Sequence, residues 1–257
     1  VPILETRDVT KRFGGLVAVN QVCMTVNNNE ILGIIGPNGA GKTSFINALT
    51  GIYKPSSGQV FFQDKEITGL PAYKIAKQGI SRTFQNLRVF SNISVLENVL
   101  IGAHCRIDNP FHHIFLRPLR SRKIEHQAYE KVIALLKNVG LEEKKETLAK
   151  NLAYGEQRIL EICRALASDP QLLILDEPCA GMNSMEMDTL ADFVKKLRNE
   201  GNTIVVIEHN MRFMMTVSDR IIVMTAGAKF REGTPEEIRN DLEVQKVYLG
   251  EQEAERC

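Results

Sequence analysis

The run Ile31-Leu-Gly-Ile-Ile35-Gly36-Pro-Asn-Gly-Ala-Gly-Lys42-Thr43 decides the fold. Its first five residues are continuously apolar, the pattern of a strand covered on both faces. The next eight match G-x-x-x-x-G-K-[ST] at every position. A helix with Phe45, Ile46 and Leu49 inside begins at once. Strand, glycine loop and helix in this order build a phosphate site. Glycine allows a turn that points successive backbone N–H groups inward, and the helix N-terminus adds about half a positive charge. Gly36, Pro37, Asn38, Gly39, Ala40 and Gly41 form the expected cradle. Lys42 reaches the β- and γ-phosphates, the Thr43 hydroxyl ligates Mg²⁺, and Ser44 completes the nucleotide-binding set.

Such a site also needs a carboxylate on a neighbouring strand. Leu172-Leu-Ile-Leu-Asp176-Glu177-Pro178 supplies four apolar residues and then two acids, at the strand end where open α/β sheets bind ligands. Asp176 is expected to hold Mg²⁺ through water, and Glu177 to act as general base on the attacking water. His209 follows Thr203-Ile-Val-Val-Ile-Glu208, again at a strand end, where it can meet the γ-phosphate or fix the water. Gln85 follows the expected strand Ile80–Phe84 and can offer its amide oxygen to Mg²⁺ or water. Taken alone, His209 and Gln85 are ordinary residues. Their place beside the other motifs makes them candidates.

Further strands are expected from Ile3 toward Val9, at Val22–Val26, at Val60–Phe62 and at Ile221–Met224. From about Ser94 to Asp169 the pattern turns helical. Ala128, Val132, Leu135, Leu136 and Val139 share one face of a helix over Glu125–Val139. A second helix is expected over Glu156–Ser168 and a third over Met185–Arg198. Alternating strands and helices at both ends predict an α/β fold with a mainly parallel sheet, interrupted by an inserted helical segment. Between them, Ile107–Lys123 carries Arg117, Arg120, Arg122 and Lys123. It reads either as a solvated loop or as a contact for a partner or anionic lipid headgroups.

The 257 residues carry 32 Lys and Arg against 31 Asp and Glu, a balance that argues against bulk electrostatic binding of nucleic acid. No apolar run approaches the roughly 18 residues that cross a bilayer, and the first residues show no signal-peptide pattern. The five cysteines (Cys23, Cys105, Cys163, Cys179 and Cys257) are scattered and odd in number. Reduced thiols in a cytoplasmic setting are expected, without a disulfide framework or zinc site. The histidine spacings suggest no transition-metal site. Cys179, between Pro178 and Ala180, reads as a small residue in a tight loop, or as a thiol that slows hydrolysis when modified.

In this order the motifs resemble the ATP-binding cassette (ABC) ATPases over essentially the whole chain. The resemblance makes Phe13, in Lys-Arg-Phe-Gly-Gly, the aromatic that stacks on adenine. Gly36–Thr43 is the Walker A motif, Gln85 the Q-loop, and Leu172–Glu177 the Walker B motif with its catalytic glutamate. Ala180-Gly-Met-Asn183 is the D-loop and His209 the switch histidine. It implies a P-loop NTPase core with flanking helices, an N-terminal antiparallel β subdomain and an inserted helical subdomain. All belong to a single domain over 1–257, with 1–93 and 169–257 as the core and 94–168 as the helical part. It also implies a head-to-tail dimer around two ATP molecules, each between one P-loop and the other subunit's signature motif.

That signature usually reads Leu-Ser-Gly-Gly-Gln. Here it is Leu152-Ala153-Tyr154-Gly155-Glu156. Ala153 lacks the hydroxyl that meets the γ-phosphate, a charge-assisted bond worth about 1.5–3 kcal/mol. Ala153, Tyr154, Gly155 and Glu156 still form a helix start suited to an anion. Ser81-Arg-Thr-Phe-Gln-Asn, Asn151-Leu-Ala-Tyr-Gly and the tail from Gly233-Thr-Pro-Glu-Glu to Val247-Tyr-Leu-Gly-Glu narrow the resemblance. They are similar to one ATPase subunit of bacterial branched-chain amino-acid importers, with urea-type importers and lipopolysaccharide export as relatives. This implies two permease subunits, a periplasmic binding protein, and a second, different ATPase that keeps the serine. It also implies a peripheral place on the cytoplasmic face of the inner membrane, with membrane contact through the permease only. A P-loop kinase shares Walker A and the carboxylate strand but leaves Gln85, Leu152–Gln157 and His209 unexplained. Non-transport ABC ATPases typically carry paired cassettes or a long coiled-coil insertion.

Overall fold

A computed structural model describes residues 1–104 and 118–254, with the side chains of 1–103 and 126–248. The basic cluster Arg117–Lys123 therefore lies outside the described side chains, as do Cys105 and Cys257.

The longest strands come first. β1 (Leu4–Phe13) and β2 (Leu16–Val26) form an antiparallel hairpin, joined by β4 (Ser57–Phe62) and β5 (Lys65–Glu66) in the order β2-β1-β4-β5. The second sheet has the order β10-β9-β3-β8-β7-β6. It comprises β3 (Ile31–Ile35), β6 (Ile80–Arg82), β7 (Leu172–Asp176), β8 (Thr203–Ile207), β9 (Arg220–Thr225) and β10 (Ala228–Gly233). All its pairings are parallel except β9 with β10. The fold is therefore α/β with a mainly parallel sheet beside an antiparallel one.

The apolar runs explain why this sheet is covered on both faces. β3, β7 and β8 are buried at every position, and the two-residue period splits them between two cores. Ile31, Ile35, Leu173, Leu175, Ile204 and Val206 face one core with the helices Tyr154–Ala167 and Ser184–Asn199. Leu32, Ile34, Leu172, Ile174, Val205 and Ile207 face the other, with Phe45, Ile46 and Leu49 and the antiparallel sheet. Each such side chain contributes about 1.5–3 kcal/mol by leaving water.

Between β6 and β7 the described chain is helical. Val95–His104, Pro118–Asn138 and Tyr154–Ala167 pack together through Val99, Val132, Leu136, Leu160 and Cys163. Two expected boundaries shift. The strand expected to run to Phe84 ends at Arg82, because the carbonyls of Phe84 and Gln85 accept from the Arg158 side chain instead of a strand. The helix expected from Glu156 begins at Tyr154, because the Glu156 carboxylate folds back onto the Ala153 N–H at 3.1 Å and starts it a half-turn earlier.

Candidate functional site

Parallel pairing brings the candidate residues to one edge of the sheet. Ile34 is in register with Ile207, and Ile207 with Asp176. The loops after β3, β8, β7 and β6 therefore emerge side by side at the carboxyl ends of their strands, where α/β sheets place ligands. One expectation needs correcting. The carboxylate strand β7 is not adjacent to β3; β8 lies between them and pairs in parallel with both.

The glycine loop is shaped by its surroundings. Gly41 has φ 90°, and a Cβ there would stand 2.3 Å from the Ala18 carbonyl oxygen. A Cβ on Gly36 would stand 2.1 Å from the Met224 carbonyl oxygen. Only glycine fits either position. Gly227 N–H donates to the Ala40 carbonyl at 3.1 Å, so the β9–β10 turn holds the loop from above. The helix Lys42–Leu49 starts at Gly41, which brings no capping side chain; its first N–H groups thus face the cradle, an arrangement that suits an anion. The Lys42 ammonium bonds the Gly36 and Pro37 carbonyls at 2.6 and 2.9 Å, which sets it across the loop.

A cavity of about 540 Å³ opens here. Asn38–Ser44 form its floor, Glu177 one wall, and Leu16–Ala18 with Ala226 and Gly227 the others. Glu177 adopts the left-handed φ of 47°, a conformation that a non-glycine residue rarely holds outside sites that need it. Its N–H is tied to the Ile207 carbonyl at 2.8 Å, and its Oε2 accepts from the Gln85 amide at 2.9 Å. His209 Nδ1 lies 4.0 Å from the same oxygen and 3.5 Å from Glu208 Oε2. Gln85 and His209 therefore group around Glu177, the member of the three that lines the cavity.

Several residues to which the sequence assigned no role support the site. Asp176 is buried, and its Oδ2 meets Arg82 Nη2 at 2.6 Å. Arg82 Nη1 also donates to Asn47 and Thr50 on the helix after the glycine loop. Glu208 is fully buried and accepts the N–H groups of Cys179, His209 and Asn210, fixing the two loops that carry Glu177 and His209. Arg158 and Glu161 form a buried pair at 3.3 Å under the Gln85 loop. Burial raises the Glu161 carboxyl above its ordinary pKa, although Arg158 and Arg164 oppose the shift. Their common sequence signal was a charged residue on the apolar side of a predicted element.

Thr43 and Asp176 offer hard oxygen donors, and no cluster of three or more His, Cys, Asp or Glu ligands occurs among the described residues. That donor set suits Mg²⁺, which takes one or two protein groups and completes its shell with substrate phosphates and water.

Gly36, Pro37, Gln85, Asp176 and His209 adjoin the cavity lining without forming it, and two further expected groups, Phe13 and Ala153–Glu156, also lie outside it. Phe13 ends β1 beside Leu16, with its ring edge-on to Tyr53 at 5.3 Å and under the Lys11 ammonium at 5.0 Å. Ala153, Tyr154, Gly155 and Glu156 form the start of the helix Tyr154–Ala167. Gly155 is packed so closely that a Cβ would stand 2.8 Å from Glu186 Oε1, and a Cβ on Gly181 would stand 3.0 Å from the Tyr154 ring. Cys179 is buried, and burial followed by the nearby Glu208 charge pushes its thiol pKa far up.

Known proteins align with nearly all of this chain. A family profile described as "ABC transporter" matches residues 19–180, and one described as "Branched-chain amino acid ATP-binding cassette transporter" matches residues 232–254. The chain is 45% identical to the high-affinity branched-chain amino acid transport ATP-binding protein BraF of Pseudomonas aeruginosa, over 97% of this chain and 98% of the relative. It is 43% identical, with the same coverage, to the LivG protein of that description from Escherichia coli. It is 33% identical to the lipopolysaccharide export ATP-binding protein LptB of Haemophilus influenzae, again over 97% and 98%. Among solved structures, the ADP conformation of MJ1267, an ATP-binding cassette of an ABC transporter, superposes with a TM-score of 0.85. It is 34% identical, covering 97% of this chain and 99% of that one.

Proposed function

Because this chain belongs to the ATP-hydrolysing, nucleotide-binding cassettes of ABC transporters, we propose that it powers a branched-chain amino-acid importer from the cytoplasmic face of the inner membrane. The observation that carries the transported class is the 45% and 43% identity to BraF and LivG over 97% of this chain, with which the second profile match, over residues 232–254, agrees. Both identities are higher than that to LptB.

The cavity chemistry fits hydrolysis of a nucleoside triphosphate. Backbone N–H groups of Gly39–Ser44 and the Lys42 ammonium bind the phosphates. Thr43 and Asp176 would hold Mg²⁺, which would supply positive charge to the phosphate oxygens. Glu177 takes a proton from the attacking water, oriented by its bond to Gln85, while His209 faces the γ-phosphoryl group. Phe13, presented by the β1–β2 hairpin beside the cavity, stacks on the base.

Ala153–Glu156 occupy the signature position of the family, which serves a nucleotide across a dimer, and they stand outside the lining of this chain's own cavity. They meet the nucleotide of a facing subunit in a head-to-tail dimer. Since Ala153 brings no hydroxyl, that facing site is the weaker of two, which favours pairing with a different ATPase that retains the serine. The permease docks in the groove of about 700 Å³ between the sheet and the helical layer. It is lined by Tyr73, Arg88, Phe90 and Ile101, next to the Gln85 loop. No described helix is long and apolar enough to cross a membrane; membrane contact runs through the permease in this reading, and the transported solute stays with the permease and its periplasmic binding protein.

Vesicles holding two permeases, both ATPases and the binding protein test this reading. Leucine uptake should require ATP inside and should stop with Glu177→Gln. Uptake that persists without this chain, or with it as the sole ATPase at full rate, sinks the importer assignment or the heterodimer respectively.

A further inference from the structure

Arg158 sits on the second turn of the Tyr154–Ala167 helix and is 3% exposed. Its Nη1 donates to the Phe84 carbonyl at 3.2 Å, and its Nη2 to the Gln85 carbonyl at 2.5 Å. Nη1 also meets Glu161 Oε2 at 3.3 Å. Glu161, 2% exposed, accepts the Arg88 N–H through its other oxygen at 3.3 Å. One buried ion pair on one helix thus grips both ends of the loop from Phe84 to Arg88.

The direction of these bonds matters. From the same loop the Gln85 side chain reaches Glu177 Oε2 at 2.9 Å. At its N-terminal side the Arg158 guanidinium lies 5.6 Å from the Tyr154 ring centroid. A continuous chain of contacts therefore runs from Tyr154 through Arg158 to Gln85 and on to Glu177. Two adjacent carbonyls need a forked, planar donor, which arginine supplies and lysine does not. A buried ion pair is also a costly way merely to glue a helix to a loop, since apolar residues of similar volume often do as well.

We propose that Arg158 is a positioning residue for the hydrolysis reaction. It locks Gln85, and through it the Glu177 carboxylate, to the orientation of the helix that begins at Ala153. A phosphate held at that helix start by the facing nucleotide then bears on this chain's own Glu177 through a single side chain. The inference rests on the reading of Glu177 as the base.

Steady-state ATPase kinetics of the assembled transporter test it, with Arg158→Met paired with Glu161→Leu so that no unpaired charge remains. The expected result is a kcat loss of roughly tenfold with a KM for ATP within about twofold of wild type, a split that general loosening of the fold does not give. Gln85→Ala should lower kcat as well. Adding the Arg158/Glu161 pair of changes to Gln85→Ala should then cost less than about twofold more, because both act on one step. Arg158→Lys preserves the charge beside Glu161 but spans only one carbonyl. It should lose part of kcat, and it decides the matter if the paired variant does not fold. Wild-type kcat in Arg158→Lys and the paired variant, or an undiminished loss in the Gln85→Ala background, overturns the proposal. If Glu177→Gln itself turns over normally, the assignment of the base fails instead.

Discussion

The Arg82 guanidinium stands 2.6 Å from the Asp176 carboxylate, with only 7% and 4% of the two side chains exposed. The same guanidinium bonds Asn47 and Thr50 at 2.8 Å each, on the helix that follows the glycine loop. One side chain thus ties the far end of the phosphate-binding helix to the acid at the end of β7. Arg82→Met would leave a buried carboxylate without its counter-charge, a change that costs about 3–5 kcal/mol. The urea-unfolding midpoint should fall accordingly. A loss under about 0.5 kcal/mol would show that the pair does not stabilise the sheet edge.

Lys42→Ala removes the ammonium that spans the Gly36 and Pro37 carbonyls. Binding of labelled ATP should weaken by about tenfold or more, the scale of a charge-assisted contact. Unchanged affinity would remove Lys42 from the phosphate site.

Glu177→Gln keeps the shape and a bond to Gln85 but cannot take a proton. The variant should bind ATP, accumulate a closed dimer visible by size-exclusion chromatography, and lose hydrolysis by about 10²–10⁴-fold, the range of general-base catalysis. Hydrolysis at the wild-type rate would refute the role assigned to this carboxylate.

Ala153→Ser should act at two separable levels. As an N-cap, serine accepts a helix N–H that alanine cannot, which stabilises the isolated subunit by about 1 kcal/mol. Across the dimer, its hydroxyl should add a charge-assisted bond of about 1.5–3 kcal/mol, tightening nucleotide-dependent association by roughly tenfold or more. Sedimentation with and without ATP separates the effects. A gain in thermal stability with no gain in ATP-dependent association would confine residue 153 to capping.

Cysteine labelling probes the loop after Glu177. Cys23 is exposed, whereas Cys163 and Cys179 are buried. Burial pushes the Cys163 thiol up to about 12 and the Cys179 thiol also far upward, so neither forms a reactive thiolate near neutral pH. Iodoacetamide on the native protein, read by peptide mass mapping, should label Cys23 well before either. Cys179 reacting as fast as Cys23 would revive it as a redox-sensitive thiol.

Much of the molecule is legible in short stretches of chain. The buried strands Ile31–Ile35 and Thr203–Ile207 have the boundaries that their apolar runs dictate, because a strand covered on both faces needs no polar alternation. The glycine loop is equally legible, since its conformation is set by residues that follow one another. The places where the reading slipped involve partners far apart in sequence. The strand at Ile80 stops early because Arg158, more than seventy positions away, takes the carbonyls of Phe84 and Gln85. The Arg82–Asp176 and Glu208 networks were invisible for the same reason.

Sequence alone pointed to an α/β phosphate-binding protein of the ABC type and named the candidate residues for its site. Tertiary structure decided how they are held. It placed β8 between β3 and β7, and it buried Arg82, Arg158 and Glu208 under the catalytic loops. It also set Ala153–Glu156 apart from the cavity lining of their own chain. Periodicity and motif spacing report local backbone geometry. Which charge lies buried against which carbonyl depends on how separate segments pack, and that is fixed only when the two cores close around the sheet.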